Sequence, residues 1–392
     1  MSVELINHNA DLKRLKDEGY VVEAMRDVGF LLIHKIPYVN SERKVVFGTL
    51  ISTLNLAGDT TVQPDPHTAL WAGDYPCRSD GSKMEKLVVN SDKQPIREGL
   101  VASYTFSQKP KPEERYKDYY HKMATYVNYL EAEARVLEPN VTAKTFSLVK
   151  LTAENSVFCY ADTASSRAGI TVINYRLKKD RIAIVGLGGT GAYVLDLVAK
   201  TPVEEIHLFD GDEFLSHNAF RSPGAPSIED LEKRQPKVSW FTVNYSRMRR
   251  KIIPHCQFIN KTNVSELKNM NFVFLCIDKG EPRQLIVSYL NENRISFIDV
   301  GISLEIMNEA LLGLVRVTTH TSDSSEVRNR IPSTDDENDE YSSNIQIADM
   351  NALNAVLAVI KWKKICGFYH EHGQNNHTVY SSFTNLITNE KI

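Results

Sequence analysis

Gly186, Gly188, Gly189 and Gly191 stand directly after the apolar, β-branched run Arg181–Val185, and two carboxylates, Asp210 and Asp212, follow a second apolar run, Glu205–Phe209. Glycines at such a strand-to-helix turn let backbone amides close on phosphate oxygens. The amides that open a helix favour negative charge, and an acidic residue about 20 positions on accepts hydrogen bonds from a ribose. The ligand class is therefore a nucleotide, with Gly186, Gly188, Gly189, Gly191 and Asp210 in contact with it. Asp212 is either a further ligand or a loop cap.

Hydride transfer and adenylation both begin from this pattern, and the charges downstream separate them. Asn218 and Arg221 lie in HNAFR, Lys237 in QPK, and Asp278 ends an apolar run just before a helix that Arg283 opens. Attack of a carboxylate on the α-phosphorus of ATP builds negative charge on the transferring phosphate and on departing pyrophosphate. An arginine and a lysine neutralise it, and a carboxylate holds the Mg²⁺ that bridges phosphate oxygens. A nicotinamide site has little use for these extra cations. Arg283 is either a phosphate contact or a structural ion pair.

These residues need a frame that brings strand ends together. Thr190–Lys200 has helical spacing, and Cys256–Asn260, Phe272–Ile277, Ser296–Val300 and Leu311–Thr318 read as strands, with a helix over Arg283–Asn293 and another over Ile345–Ile365. Alternating strands and helices imply a doubly wound, mostly parallel sheet covered on both faces. Residues 1–150 have a different texture. Val21–Ala24 and Phe30–His34 read as short strands about the turn Asp27–Gly29, Val45–Leu56 is strand-rich, Thr61–Trp71 reads as one more strand, and Pro112–Leu137 as a long helix. We therefore expect an N-terminal α+β domain over 1–150 and a Rossmann-like α/β domain over 151–392. The polar stretch Thr319–Asn344 reads as a solvated loop, and His370, His372 and His377 fall in a polar tail that reads as disorder rather than a metal site. His67, Asp74 and Cys77 read as unrelated polar groups of one turn-rich segment.

The totals narrow the class. A net charge of -3 gives no global attraction to nucleic acid or to an anionic membrane. No apolar run reaches the roughly 18 residues of a membrane span, and the N-terminal segment lacks the apolar core of a secretory signal. The five cysteines are scattered without a CxxC pair, so neither a disulfide framework nor a structural zinc is expected, and a cytoplasmic setting fits best.

Taken in order, GLGGTG, DGD, NAFR, QPK and IDKGEPR resemble the ThiF/MoeB/ubiquitin-activating-enzyme superfamily over roughly residues 165–365. The resemblance implies a ThiF-like fold, a homodimer, and ATP-dependent adenylation of the C-terminal carboxylate of a ubiquitin-like protein ending in glycine, with a conjugating-enzyme-like protein as a further partner. Carried over by position, Asp210 holds the ribose, Asn218 and Arg221 act at the phosphates with Lys237, and Asp278 binds Mg²⁺ or positions the reacting groups. Arg167 is the candidate for the arginine that reaches the partner subunit's ATP. The chain departs from the pattern in having Lys279 where the family has asparagine and in lacking both CxxC pairs. It also has no cysteine over Gly301–Ile365, which leaves Cys366 as the C-terminal candidate for a thioester. The N-terminal region resembles domains fused to bacterial ThiF-like proteins, which suggests partner binding and a protein-modification pathway such as bacterial defence, with sulfur transfer as the other pathway. Two other functions stay open at this stage: an NAD(P)-dependent oxidoreductase, and a non-catalytic scaffold for a ubiquitin-like protein.

Overall fold

The computed structural model describes residues 2–110, 112, 114–147, 156–178, 180–278, 280–321, 331, 345–373 and 375–390. The chain divides into two compact units, Met1–Lys150 and Leu151–Ile392. Most of the expected polar loop Thr319–Asn344 lies outside the described residues. Among the described residues no helix is long and apolar enough to cross a membrane.

The first unit begins with helices α1 (Ser2–His8) and α2 (Ala10–Asp17) and strands β1 (Val21–Met25), β2 (Phe30–Val39) and β3 (Val45–Thr53). The two-residue strands β4 (Leu56–Ala57) and β5 (Thr60–Thr61) precede β6 (Ala69–Ala72) and β7 (Val88–Asn90). The hairpin β8 (Gln94–Arg97) and β9 (Leu100–Ala102), then β10 (Tyr104–Phe106) and α3 (Tyr119–Leu137), complete it. The main sheet runs β1-β2-β3-β6-β10-β7. Its core is aromatic: Trp71 stacks on Phe106 at 5.4 Å and meets Tyr38 edge-on at 5.0 Å. Two expectations need correction. Thr61–Trp71 is not one strand; Pro64 and Pro66 fall between β5 and β6, and neither can donate to a ladder. The long helix starts at Tyr119, because the Asp118 carboxylate caps it by accepting the His121 N–H at 2.7 Å.

The second unit opens with short helices α4 (Thr163–Arg167) and α5 (Thr171–Asn174). It then alternates β11 (Arg181–Val185), α6 (Gly189–Ala199), β12 (Glu205–Phe209), α7 (Ser216–Ala219), α8 (Ile228–Glu232), α9 (Lys237–Tyr245), β13 (Ile252–His255), β14 (Phe272–Leu275) and α10 (Gly280–Glu292). The long strands β15 (Ser296–Met307) and β16 (Ala310–His320), helix α11 (Ala348–Ile365), β17 (His377–Ser381) and β18 (Leu386–Glu390) follow. The sheet order is β13-β12-β11-β14-β15-β16-β17-β18. The first five strands are parallel and the last three antiparallel, so the fold is an α/β, Rossmann-like sheet, mostly parallel around its centre. Alternate residues of β11 serve two cores. Ile182 and Ile184 pack with α6, α9 and α11, while Ala183 and Val185 pack with α10 on the opposite face.

Two strand expectations in this unit also change. The edge strand is Ile252–His255, not Cys256–Asn260; Pro254 argues against a strand in a central position but is tolerated at a sheet edge. The described residues of the C-terminal tail include the strands β17 and β18. His377 opens β17, is 7% exposed, and its Nδ1 hydrogen-bonds the Thr318 hydroxyl at 3.0 Å, whereas His370 and His372 are exposed.

Candidate functional site

The C-terminal ends of β11, β12 and β14 converge, as expected for ligands held at the carboxyl edge of a doubly wound sheet. The glycine turn after β11 is built mostly by packing. Gly186 has φ +90°, and a Cβ there would lie 2.5 Å from the Cys276 carbonyl oxygen; one on Gly191 would lie 1.9 Å from the Gly186 carbonyl oxygen. A Cβ on Gly189 would lie 2.1 Å from Nδ2 of Asn351 on α11, whose Oδ1 accepts the Thr190 hydroxyl at 2.9 Å. Gly188 is different. Its φ of −67° suits any residue, and no described atom lies within 4 Å of its added Cβ. Internal packing thus explains three of the glycines. The fourth opens space at the start of α6, where amides without helical partners point outward.

Asp210 ties this turn to β12. Its Oδ2 accepts the Leu187 N–H at 2.7 Å and its Oδ1 the Asp212 N–H at 2.8 Å. Only 5% of Asp210 is exposed, and burial raises its pKa against the pull of Lys237 and the two amides. The carboxylate keeps further lone pairs for a ribose hydroxyl. Lys237 opens α9, because the backbone of Asp212–Phe214 is laced to Gln235–Lys237: Lys237 N–H donates to the Asp212 carbonyl at 2.9 Å and Phe214 N–H to that of Gln235 at 2.7 Å. The Lys237 ammonium lies 2.7 Å from Asp212 Oδ2 and 3.6 Å from Asp210 Oδ1. Asp212 is thus an exposed counter-ion of a buried lysine.

The short helix α7 contributes donors. Asn218 is 2% exposed and its Oδ1 accepts the Leu215 N–H at 2.9 Å. Asn218 Nδ2 and Arg221 Nε are buried without a hydrogen-bond partner among the described residues. Two idle buried donors in one turn are costly unless something supplies acceptors. His217, which the sequence reading passed over inside HNAFR, reports the local field: burial, then the charges of Arg221 and Lys237, lower its pKa. Arg221 and Lys237 therefore lie near enough to act on His217, with Asp212 opposing them.

Asp278 leaves the sheet beside the glycine turn, since Cys276 N–H donates to the Val185 carbonyl at 2.8 Å and Gly186 packs on Cys276 and Ile277. Asp278 itself is exposed. Arg283 faces inward instead. It is 6% exposed, lies 3.3 Å from Asp299 and donates to the Ile277 carbonyl, so of its two readings the structure supports the structural ion pair. Lys279 and the side chain of Arg167 lie outside what is described.

Cys366 is not brought to this place. Its thiol donates to Asp180 Oδ2 at 3.4 Å, and Asp180 precedes the first residue of β11. A strand of five residues, roughly 16 Å, separates that end from Gly186. Burial and the Asp180 carboxylate push the Cys366 pKa up, which keeps it a thiol. In the first unit, His67 bonds Ser107 and the Cys77 thiol is buried, as expected of scaffold groups. An open cleft of ≈ 370 Å³ lined by Arg14, Lys117, Tyr120 and His121 contains no expected site residue.

Comparison with known proteins adds the following. The model of the ThiF family matches residues 166–390, and that of a domain of unknown function, DUF6791, matches residues 10–163. The tRNA threonylcarbamoyladenosine dehydratase of Haemophilus influenzae is 26% identical over 134 residues, 32% of this chain and 49% of that protein. The ubiquitin-like modifier-activating enzyme 5 of Aedes aegypti is 27% identical over 153 residues, 36% of this chain and 38% of that protein. The matches thus span half or less of these relatives' length. The structure of E. coli MccB with MccA aligns with a TM-score of 0.47 at 16% identity, covering 59% of this chain and 72% of that one.

Proposed function

Because the match over residues 166–390 places this chain in the ThiF family, we propose that it is an ATP-dependent adenylyltransferase that activates the C-terminal carboxylate of a ubiquitin-like protein ending in glycine. The observation that carries the proposal is the pair of idle buried donors, Asn218 Nδ2 and Arg221 Nε, beside buried Lys237 at the mouth of the glycine turn. Phosphate oxygens are the acceptors that such donors lack.

One carboxylate oxygen of the carrier attacks the α-phosphorus, an O–P bond forms, and the bond to pyrophosphate breaks. No general base is required, because the terminal carboxylate is ionised at neutral pH. Gly188 and the first amides of α6 seat the phosphates. Asp210 accepts from the ribose, Asn218 donates to a phosphate oxygen, and Arg221 with Lys237 neutralises the charge that moves onto pyrophosphate. Asp278 would supply the carboxylate that holds Mg²⁺, and the ion would supply positive charge at the phosphates. In this proposal Asp212 serves as the resting partner of Lys237 and yields it to phosphate.

The similarity to a ubiquitin-like modifier-activating enzyme supports the substrate class. The proposal includes a homodimer in which Arg167 reaches the partner's ATP, a partner-binding role for residues 1–150, and a conjugating-enzyme-like acceptor in a protein-modification pathway. With Cys366 at the opposite end of β11 from the glycine turn, the chemistry ends at the acyl-adenylate and the acceptor supplies the next nucleophile. Exchange of labelled pyrophosphate into ATP tests the reading, using the full chain with small glycine-ending proteins from neighbouring genes. Exchange is expected only with a carrier whose terminal carboxylate is free. ATP binding without exchange, for every carrier that binds, would favour the scaffold instead.

A further inference from the structure

Behind the Ile277–Asp278 turn lies a buried charged cluster that the reaction above does not use. Asp299 of β15 is 0% exposed. Its Oδ2 accepts from Arg316 Nη2 at 2.6 Å, and its Oδ1 lies 3.3 Å from Arg283 Nε, an ion pair that makes no hydrogen bond. Arg316 comes from the neighbouring antiparallel strand and also donates to the Thr318 hydroxyl at 2.7 Å. Its guanidinium lies against Gly301, where an added Cβ would be 2.8 Å from Nη2. Arg283 spends its remaining reach on the carbonyl of Ile277, the residue just before Asp278.

Buried ion clusters of this kind seldom stabilise a fold more than apolar side chains of the same volume. Burial raises the Asp299 pKa, and the two guanidinium groups work against it. What the cluster does supply is direction. Arg316 fixes one oxygen of Asp299, the charge of Asp299 holds Arg283 at 3.3 Å, and Arg283 donates to the peptide from which Asp278 leaves the sheet.

We propose that Asp299, acting through Arg283, is a positioning residue that holds Asp278 in the orientation needed for Mg²⁺–ATP. Asp299 touches neither nucleotide nor metal. The inference rests on the reading of Asp278 given above.

The test is calorimetric titration of the full chain with ATP across a series of Mg²⁺ concentrations, for the wild type, Asp299→Asn and Arg283→Lys. Arg283→Lys keeps a cation beside Asp299 and so preserves the fold, but a single ammonium cannot hold both Asp299 and the Ile277 carbonyl. For both variants the Mg²⁺ concentration giving half-maximal ATP binding is expected to rise about 10-fold, with Mg²⁺-free ATP binding unchanged. A merely structural role would alter both or neither. A folded variant of either kind with the wild-type Mg²⁺ midpoint would overturn the inference, and Arg283→Lys decides alone if Asp299→Asn does not fold. A wild type that shows no Mg²⁺–ATP binding would end the functional reading itself, whereas wild-type binding with unaltered variants ends only this inference.

Discussion

Asp278→Ala is expected to lower carrier-dependent pyrophosphate exchange by about 10²–10³-fold, the usual loss when one transition-state charge contact is removed. The fold should not notice. β14 ends at Leu275, the apolar anchoring of that strand lies in Phe272–Leu275, and the Asp278 side chain is exposed. Exposed substitutions of this kind change stability by about 0.5 kcal/mol or less. The thermal midpoint is therefore expected to stay near that of the wild type while the Mg²⁺ dependence of exchange moves to higher concentration. Asp278→Asn, which keeps an acceptor but loses the charge, should fall between the two. Unchanged exchange in a folded Asp278→Ala would remove this carboxylate from the reaction.

Lys237→Ala is expected to fail in both respects, activity and stability. The lysine side chain is 7% exposed and stands between an exposed carboxylate, Asp212, and a buried one, Asp210. Its removal leaves Asp210 buried with two amides and no cation, a change that costs about 3 kcal/mol, or roughly 6–12 °C in the thermal midpoint of a unit this size. Arg221→Ala should lose exchange alone, because Arg221 Nε has no hydrogen-bond partner among the described residues.

The pH dependence of the Lys237→Ala deficit has a definite sign. Burial places the Asp210 pKa above its ordinary value of 3.8. Folding therefore favours the protonated form, and the cost of keeping Asp210 ionised is absent below the ordinary value and grows as pH rises through the raised one. Loss of Lys237 increases that cost. The deficit measured by thermal unfolding is expected to be widest near neutrality and to narrow on acidification toward the titration of Asp210. A deficit that stays constant with pH would mean that the lysine acts through packing of its stem.

The parts of this structure that were legible in the sequence are those where a local steric rule decides. The β11–α6–β12 unit followed from an apolar run, glycines and a second apolar run, and the ThiF-like, Rossmann-like fold followed from the order of motifs around it. Elements whose logic is tertiary were hidden. Pro254 disguised an edge strand, because only the sheet order shows that its missing N–H faces no neighbour. The pair β17–β18 lies in a polar stretch without period-two alternation; the strands exist because β16 offers a ladder, not because they bury an apolar face.

The same divide runs through the candidate site. Asn218, Arg221 and Lys237 could be singled out by type and order, but no one-dimensional reading shows which donors lack partners. Arg283 looked equally like a phosphate contact and an ion pair, because Asp299 and Arg316 meet only through the register of β15 and β16. Asn351, which closes on Gly189 and Thr190, gave no signal inside an amphipathic helix.

Whether the glycine turn holds ATP rather than a dinucleotide is the central claim, and calorimetric titration of the full chain with ATP and with NAD⁺, each with and without Mg²⁺, tests it most directly. ATP is expected to bind, more tightly with Mg²⁺, and NAD⁺ neither to bind nor to displace it. Saturable binding of NAD⁺ with no heat from ATP would contradict the account and return the glycine turn to a hydride-transfer enzyme.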